Sequence, residues 1–122
     1  MSRLDKQEQR LKELERTFSR LLRRELVMVA DSGKIWASQY LYHKWQYADS
    51  GKSKKNRATK ELEKLERDIL KLRDKLGLPM NGGPIGIIQE WTEEISGLSE
   101  ESDRRACAKR ALAKLSTEGT DT

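Results

Sequence analysis

Cysteine occurs once in this 122-residue chain, at Cys107, and histidine once, at His43. A lone cysteine closes no internal disulfide, which suits a reducing compartment. One Cys and one His also fall short of the ligand set of a structural zinc site, so neither metal nor cofactor is expected. Proline appears twice and glycine eight times, which excludes a collagen-like chain. No stretch approaches the ~20 apolar residues that span a bilayer. The opening Met1-Ser2-Arg3-Leu4-Asp5-Lys6 runs straight into a charged helical pattern instead of a signal-peptide apolar core. These absences point to a cytoplasmic protein with no membrane partner.

What the chain has in excess is charge. Charged residues make up 37% and hydrophobic residues 35%, against roughly 25% and 45–50% in ordinary soluble domains. Leu, Glu, Lys and Arg dominate, a composition of long helices, and the length suits one domain. The net charge of +5 divides as +3 over residues 1–30, +5 over 31–60, zero over 61–80 and −3 over 81–122. A basic front and an acidic rear suggest one end facing a polyanion and another facing a different partner. The plainer alternative is a solvated helical surface with uneven charge.

Periodicity predicts four or five helices. Leu4, Leu11 and Phe18 recur every seven residues, with Leu14 and Leu21 at the intervening positions and Gln7 as a weak spot. That is a coiled-coil or hairpin seam, from Arg3 to at least Glu25. Residues 26–30 form an apolar run compatible with a buried helical turn or a short strand. Asp31-Ser32-Gly33 reads as a turn that caps the next helix. That helix, Lys34 to Tyr47, holds five of the seven aromatic residues. Trp36, Tyr40, His43 and Tyr47 share one face, while Leu41, Trp45 and Ala48 share another, as in a helix sandwiched between neighbours.

The pentapeptide 30–34 recurs at 48–52 and marks a second turn. Ala58, Leu62, Leu65, Ile69, Leu72 and Leu76 then define the clearest helix, supported by Glu63–Arg67 at i,i+4. Gly77 is its C′ residue, Leu78 the hydrophobic contact behind it and Pro79 its stop. Residues 80–84 read as a hinge, with Pro84 in the first turn of a helix carrying Ile88, Trp91, Ile95 and Leu98. A last helix is expected from Glu100 to Leu115. The organisation is thus 1–79 as a basic helical hairpin region, 80–84 as hinge, 85–115 as a C-terminal helical pair and 116–122 as a disordered tail, in one domain.

Gly51-Lys52-Ser53 imitates the end of a phosphate-binding loop, but the first glycine of that motif would fall at Gln46. His43 has no Cys, Ser or carboxylate partner at a recognisable spacing, and Cys107 sits among alanines as a small hydrophobe. No catalytic residue is therefore assigned. The binding candidate is the basic run Lys52, Lys54, Lys55, Arg57 and Lys60, extended by Lys34 and Lys44, with Trp45 or Tyr47 beside it. Arg16, Arg20, Arg23 and Arg24 form a second cluster. Such runs bind phosphates without reading bases, so duplex DNA is the natural partner. The bland reading of the same run is a solvated linker.

From Asn56 to Leu78 the chain resembles the later part of phage terminase small subunits, in which a polar Asn-containing turn precedes a Leu-rich helix closed by a Leu-Gly-Leu step. The matching residues are Asn56, then Leu62, Leu65, Ile69 and Leu72, then Leu76-Gly77-Leu78. The aromatic segment Tyr40 to Tyr47 stands where that family has an aromatic-bearing helix. The resemblance covers roughly residues 36–79 and departs at Pro79-Met80-Asn81, where the family usually has a small polar residue and an Arg. It implies a non-catalytic helical subunit, often assembled as a ring, that engages viral DNA in the host cytoplasm and regulates a separate packaging ATPase. The seam Leu62, Leu65, Ile69, Leu72 and Leu76 would then serve packing or oligomerisation, with a homo-oligomer as the assembly. The competing class is a helical oligomeric adaptor that binds another protein and no nucleic acid. All of these readings share an all-α fold, so far-ultraviolet circular dichroism is expected to be dominated by helix; a strand-type spectrum would overturn it.

Overall fold

The computed structural model describes residues 2–46 and 54–119, the last three by their backbone alone. It is an all-α helical bundle: α1 (Arg3–Ser32), α2 (Gln39–Gln46), α3 (Arg57–Lys75), α4 (Gly83–Ile95) and α5 (Glu101–Gly119), with no strand among the described residues. The 30 residues of α1 span about 45 Å. Its start is fixed by a capping box, in which the Asp5 N–H donates to Ser2 Oγ at 3.1 Å and the Ser2 N–H donates to the Asp5 carboxylate at 3.3 Å.

The apolar run 26–30 is helix and belongs to α1. Asp31 and Ser32 form the last turn of α1 and do not cap the following helix. Gly33 ends it in the left-handed conformation (φ 72°), donating to the Val29 carbonyl at 2.7 Å. A side chain there would also meet the Glu101 carbonyl at 2.9 Å, so α5 can approach only because residue 33 is glycine.

The expected helix over 34–47 is broken in two. A single 3-10 turn, Ile35–Ala37, precedes α2. The break lies at Ser38, fully buried, whose Oγ donates to Glu25 at 2.8 Å and accepts the Leu41 N–H at 3.1 Å. A serine serving as N-cap cannot also sit inside a continuous helix. The break splits the expected aromatic face: Tyr40 is buried, whereas Trp36 is 67% exposed. Tyr47, Ala48 and the second copy of the pentapeptide lie outside the described residues.

Asn56 caps α3 by accepting the Thr59 N–H at 2.8 Å. The Gln39 side chain fastens this entry to the start of α2, accepting from the Asn56 N–H at 2.6 Å and donating to the Lys54 carbonyl at 3.1 Å. Leu76-Gly77-Leu78 closes α3 as a Schellman motif: the Leu78 N–H reaches the Arg73 carbonyl at 2.9 Å and the Gly77 N–H reaches that of Asp74 at 3.1 Å, with Gly77 at φ 70°. Leu78 itself is 40% exposed, and the two backbone bonds make this stop. The Glu63–Arg67 pairing gives way to Lys55–Glu63 at 2.7 Å. At the C-terminus α5 runs to Gly119, past the tail boundary expected at Ser116; the Ser116 hydroxyl donates to the Leu112 carbonyl at 3.1 Å, and no proline or glycine intervenes before Gly119.

α1 is the rod on which the other helices lie. Glu15 pairs with Arg73, while Ser38, which begins α2, holds Glu25 further along, so α3 runs antiparallel to α1. Gly33 faces Glu101, so α5 starts where α1 ends. α4 runs antiparallel to α5, joined by Glu94–Arg110 and by Glu90–Lys114 at 2.7 Å. The stripe of α1 is buried at Leu11, Leu14, Phe18, Leu22, Leu26 and Val29. Its steps of three and four follow the 3.6-residue period of a globular helix rather than the 3.5-residue seam predicted from Leu4 and Leu21. Leu4 is accordingly 55% exposed and Leu21 only partly buried. Residues from both sides of the segment 80–84 enter one core cluster, including Trp91, Ile95, Leu62 and Ile69.

That segment itself is tightly built. Arg73 donates through Nε to Glu15 at 2.8 Å and through Nη1 to the Pro79 carbonyl at 2.9 Å. A Cβ at Gly83 (φ 63°) would meet Glu15 Oε2 at 2.7 Å and Arg73 Nη2 at 2.8 Å, whereas one at Gly77 would meet nothing within 4 Å. Gly77→Ala is therefore expected to cost only the left-handed backbone, about 1 kcal/mol, and Gly83→Ala more than that, because the ends of the Glu15 and Arg73 side chains must also shift. Leu62→Ala, at a site with no exposure, is expected to cost about 2–5 kcal/mol. Denaturant titration of the three variants checks the ranking; equal losses for the two glycines would refute it.

Candidate nucleic-acid interface

The predicted basic residues separate into two groups once the chain is folded. Lys44 is paired with Glu66, and Lys55 with Glu63 at 2.7 Å. The Glu66 carboxylate also accepts the Tyr40 hydroxyl at 2.7 Å, and the Lys44 ammonium stands 5.8 Å from the Tyr40 ring centre. These two lysines fasten α2 and the entry of α3 to the body of α3, and their charge is compensated locally. Burial, reinforced by the Glu66 carboxylate, pushes the Tyr40 phenol well above its ordinary value, so Tyr40 acts as a neutral donor.

Lys54, Arg57 and Lys60 point to solvent at the start of α3, with no carboxylate in ion-pair range among the described residues. Lys34 is likewise exposed, its ammonium 5.3 Å from the Trp36 ring centre. Lys52 lies outside the described residues. The seam residues Leu62 and Ile69 are fully buried, while Leu65, Leu72 and Leu76 pack partly buried against the same core, so this stripe closes the monomer's own interior.

The stronger cationic feature lies on α1. Lys12, Arg16, Arg20, Arg23 and Arg24 are all exposed. At 100° per residue they fall on the side of the helix opposite Leu11, Leu14, Phe18 and Leu22. Between Lys12 and Arg24, about 18 Å along the axis, the carboxylates are Glu13 and Glu15, and Glu15 is already engaged by Arg73. No ion pair joins the five cations to another group among the described residues. The arginine cluster was visible in the sequence; its union with Lys12 into one outward ridge follows from the drift of the buried stripe, which a strict heptad reading missed.

The groups with reactive potential are placed differently. Cys107 is buried in α5 near Glu94 and Arg110, and burial together with the Glu94 carboxylate pushes its thiol up to about 12. The Arg110 hydrogen bond holds Glu94 below its ordinary range. His43 is half-buried with Nδ1 lacking a hydrogen-bond partner. Among the described residues, no group of three or more His, Cys, Asp or Glu side chains could hold a metal ion, and no helix is long and apolar enough to cross a membrane. No protein-family model, curated protein or solved structure matches the chain.

A thiol held near 12 is ionised to about one part in ten thousand at pH 8. Cys107 is therefore expected to react with a disulfide reagent at pH 8 only as fast as the native chain opens, and at once in denaturant. Rapid reaction of the folded chain would contradict the burial.

Proposed function

We propose that this chain is a non-catalytic accessory protein that holds duplex DNA by its phosphates. The observation that carries the reading is the ridge Lys12, Arg16, Arg20, Arg23 and Arg24, five exposed cations on the outward face of one rigid helix. Arginine presents a planar fork that pairs bidentately with phosphate oxygens, and a helix holds successive forks in fixed register. Lys54, Arg57 and Lys60 add charge at the start of α3, beside the C-terminal half of α1. Contacts of this kind fix position on DNA and do not read sequence. The likeness of residues 36–79 to phage terminase small subunits supports a place beside a DNA-packaging ATPase, with the acidic stretch 81–122 as the surface for that protein partner.

Each phosphate neutralised releases counterions, with a slope of about −0.9 per contact in the logarithm of affinity against that of salt. Arg16→Glu/Arg20→Glu is expected to weaken duplex binding and flatten that slope by about two, and Arg57→Glu/Lys60→Glu to do so less. Fluorescence anisotropy with labelled duplex over a salt series reads both. A parent chain that binds no duplex at low salt would replace this reading with the protein adaptor.

Self-association belongs to the same proposal. Leu4, Leu78 and Met80 remain exposed at 55%, 40% and 42%, apolar surface that a second copy would cover. Sedimentation equilibrium is expected to show a concentration-dependent oligomer that Leu4→Glu weakens.

A further inference from the structure

Trp36 is the most exposed large hydrophobic side chain among the described residues, yet the turn that carries it is firmly held. The Lys34 N–H donates to Ser32 Oγ at 3.1 Å, and the Ala37 and Ser38 N–H groups reach the carbonyls of Lys34 and Ile35, both at 3.1 Å. From α5, Arg104 Nε donates to the Gly33 carbonyl at 2.8 Å. The ring is thus displayed on a preorganised support. Beside it opens a groove of about 240 Å³ in which Trp36 joins Tyr42 and Trp45, themselves an edge-to-face pair 6.0 Å apart. Lys34 and Arg104 complete the rim, Ile35 and Leu98 the apolar lining, and no carboxylate is among the described lining residues.

These features select the ligand. The volume lies below the ~300–1,000 Å³ of pockets that enclose drug-sized molecules, so it suits a single ring system. Aromatic walls alone would also attract a quaternary ammonium group, but Lys34 and Arg104 repel one. A flat neutral ring joined to an anionic phosphate satisfies both the aromatic walls and the cations. We infer that this groove binds an unpaired base of single-stranded DNA, stacked on Trp36 with its phosphates beside Lys34 and Arg104. The inference rests on the reading that the chain holds DNA, and gives it a second mode in which frayed or single-stranded ends are captured apart from the α1 ridge.

The test titrates the full chain with oligodeoxythymidylate and, separately, with blunt duplex of equal length, following tryptophan fluorescence and anisotropy. The single strand is expected to quench the fluorescence. Trp36→Ala should weaken single-strand binding about tenfold or more, Trp36→Phe should restore most of it, and neither should change duplex affinity. Because Trp36 is exposed, its loss leaves the fold intact, which circular dichroism verifies. Single-strand affinity unchanged in Trp36→Ala overturns the groove; if Arg16→Glu/Arg20→Glu still weakens duplex binding, the ridge survives that result. A Trp36 effect without duplex binding upholds the groove and overturns the duplex reading, and a chain that binds neither probe overturns both.

Discussion

Leu11, Leu14, Phe18, Leu22, Leu26 and Val29 form one stripe along α1, and its burial is the constraint from which the rest of the structure follows. Each such side chain contributes about 1.5–3 kcal/mol when removed from water. The helix is too long for any one of its partners to cover: α3 and α5 each have 19 residues against its 30. The stripe is therefore closed in sections, by α3 and α5 on its flanks and by the apolar face of α4. The opposite side of the rod, left to solvent, is where the arginines stand.

The polar interior explains how these sections stay in register. Arg73 joins α1 through Glu15 and the following connection through the Pro79 carbonyl. An ion pair of this kind adds little net stability beyond an apolar replacement, but removing one partner is costly. Gly82 and Gly83 leave room for the guanidinium and carboxylate at the start of α4. Glu25 and Ser38 do the corresponding work at the other end, turning the chain out of α1 and starting α2. Both devices place a carboxylate of α1, Glu15 partly buried and Glu25 buried, against a group that directs a neighbouring helix.

Folding also divides the chain's cations by role. Lys44 and Lys55 sit where Glu66 and Glu63 of α3 meet the incoming chain, and they become part of the scaffold. The α1 ridge lies where no other helix packs, so its charge stays available. A linear count of lysines places the electrostatic weight at 52–60; in the fold Lys55 of that run is paired, Lys54, Arg57 and Lys60 stay exposed, and a second set of exposed cations stands on the long helix. The same logic separates the aromatics: Tyr40 and Trp91 are core, whereas Trp36 is held at the surface beside two cations.

The sequence by itself determined the helical class, the start of α1, the Leu-rich α3 with its glycine stop, and the proline-led start of α4. These features depend on local backbone chemistry and on periodicity within one segment, both readable without neighbours. Tertiary structure alone decided the break at Ser38, because a serine cap can be fully buried only where its hydroxyl finds an acceptor, here Glu25. It also decided that Leu22 and not Leu21 faces inward. A 3.5- and a 3.6-residue repeat diverge by ~20° per heptad, and only the positions of α3, α4 and α5 select between them. The candidate site was legible as charge and aromatic content but not as place. Which cations are neutralised and which ring is exposed depends on residues far apart in the chain, such as Lys44 with Glu66 or Trp36 with Arg104.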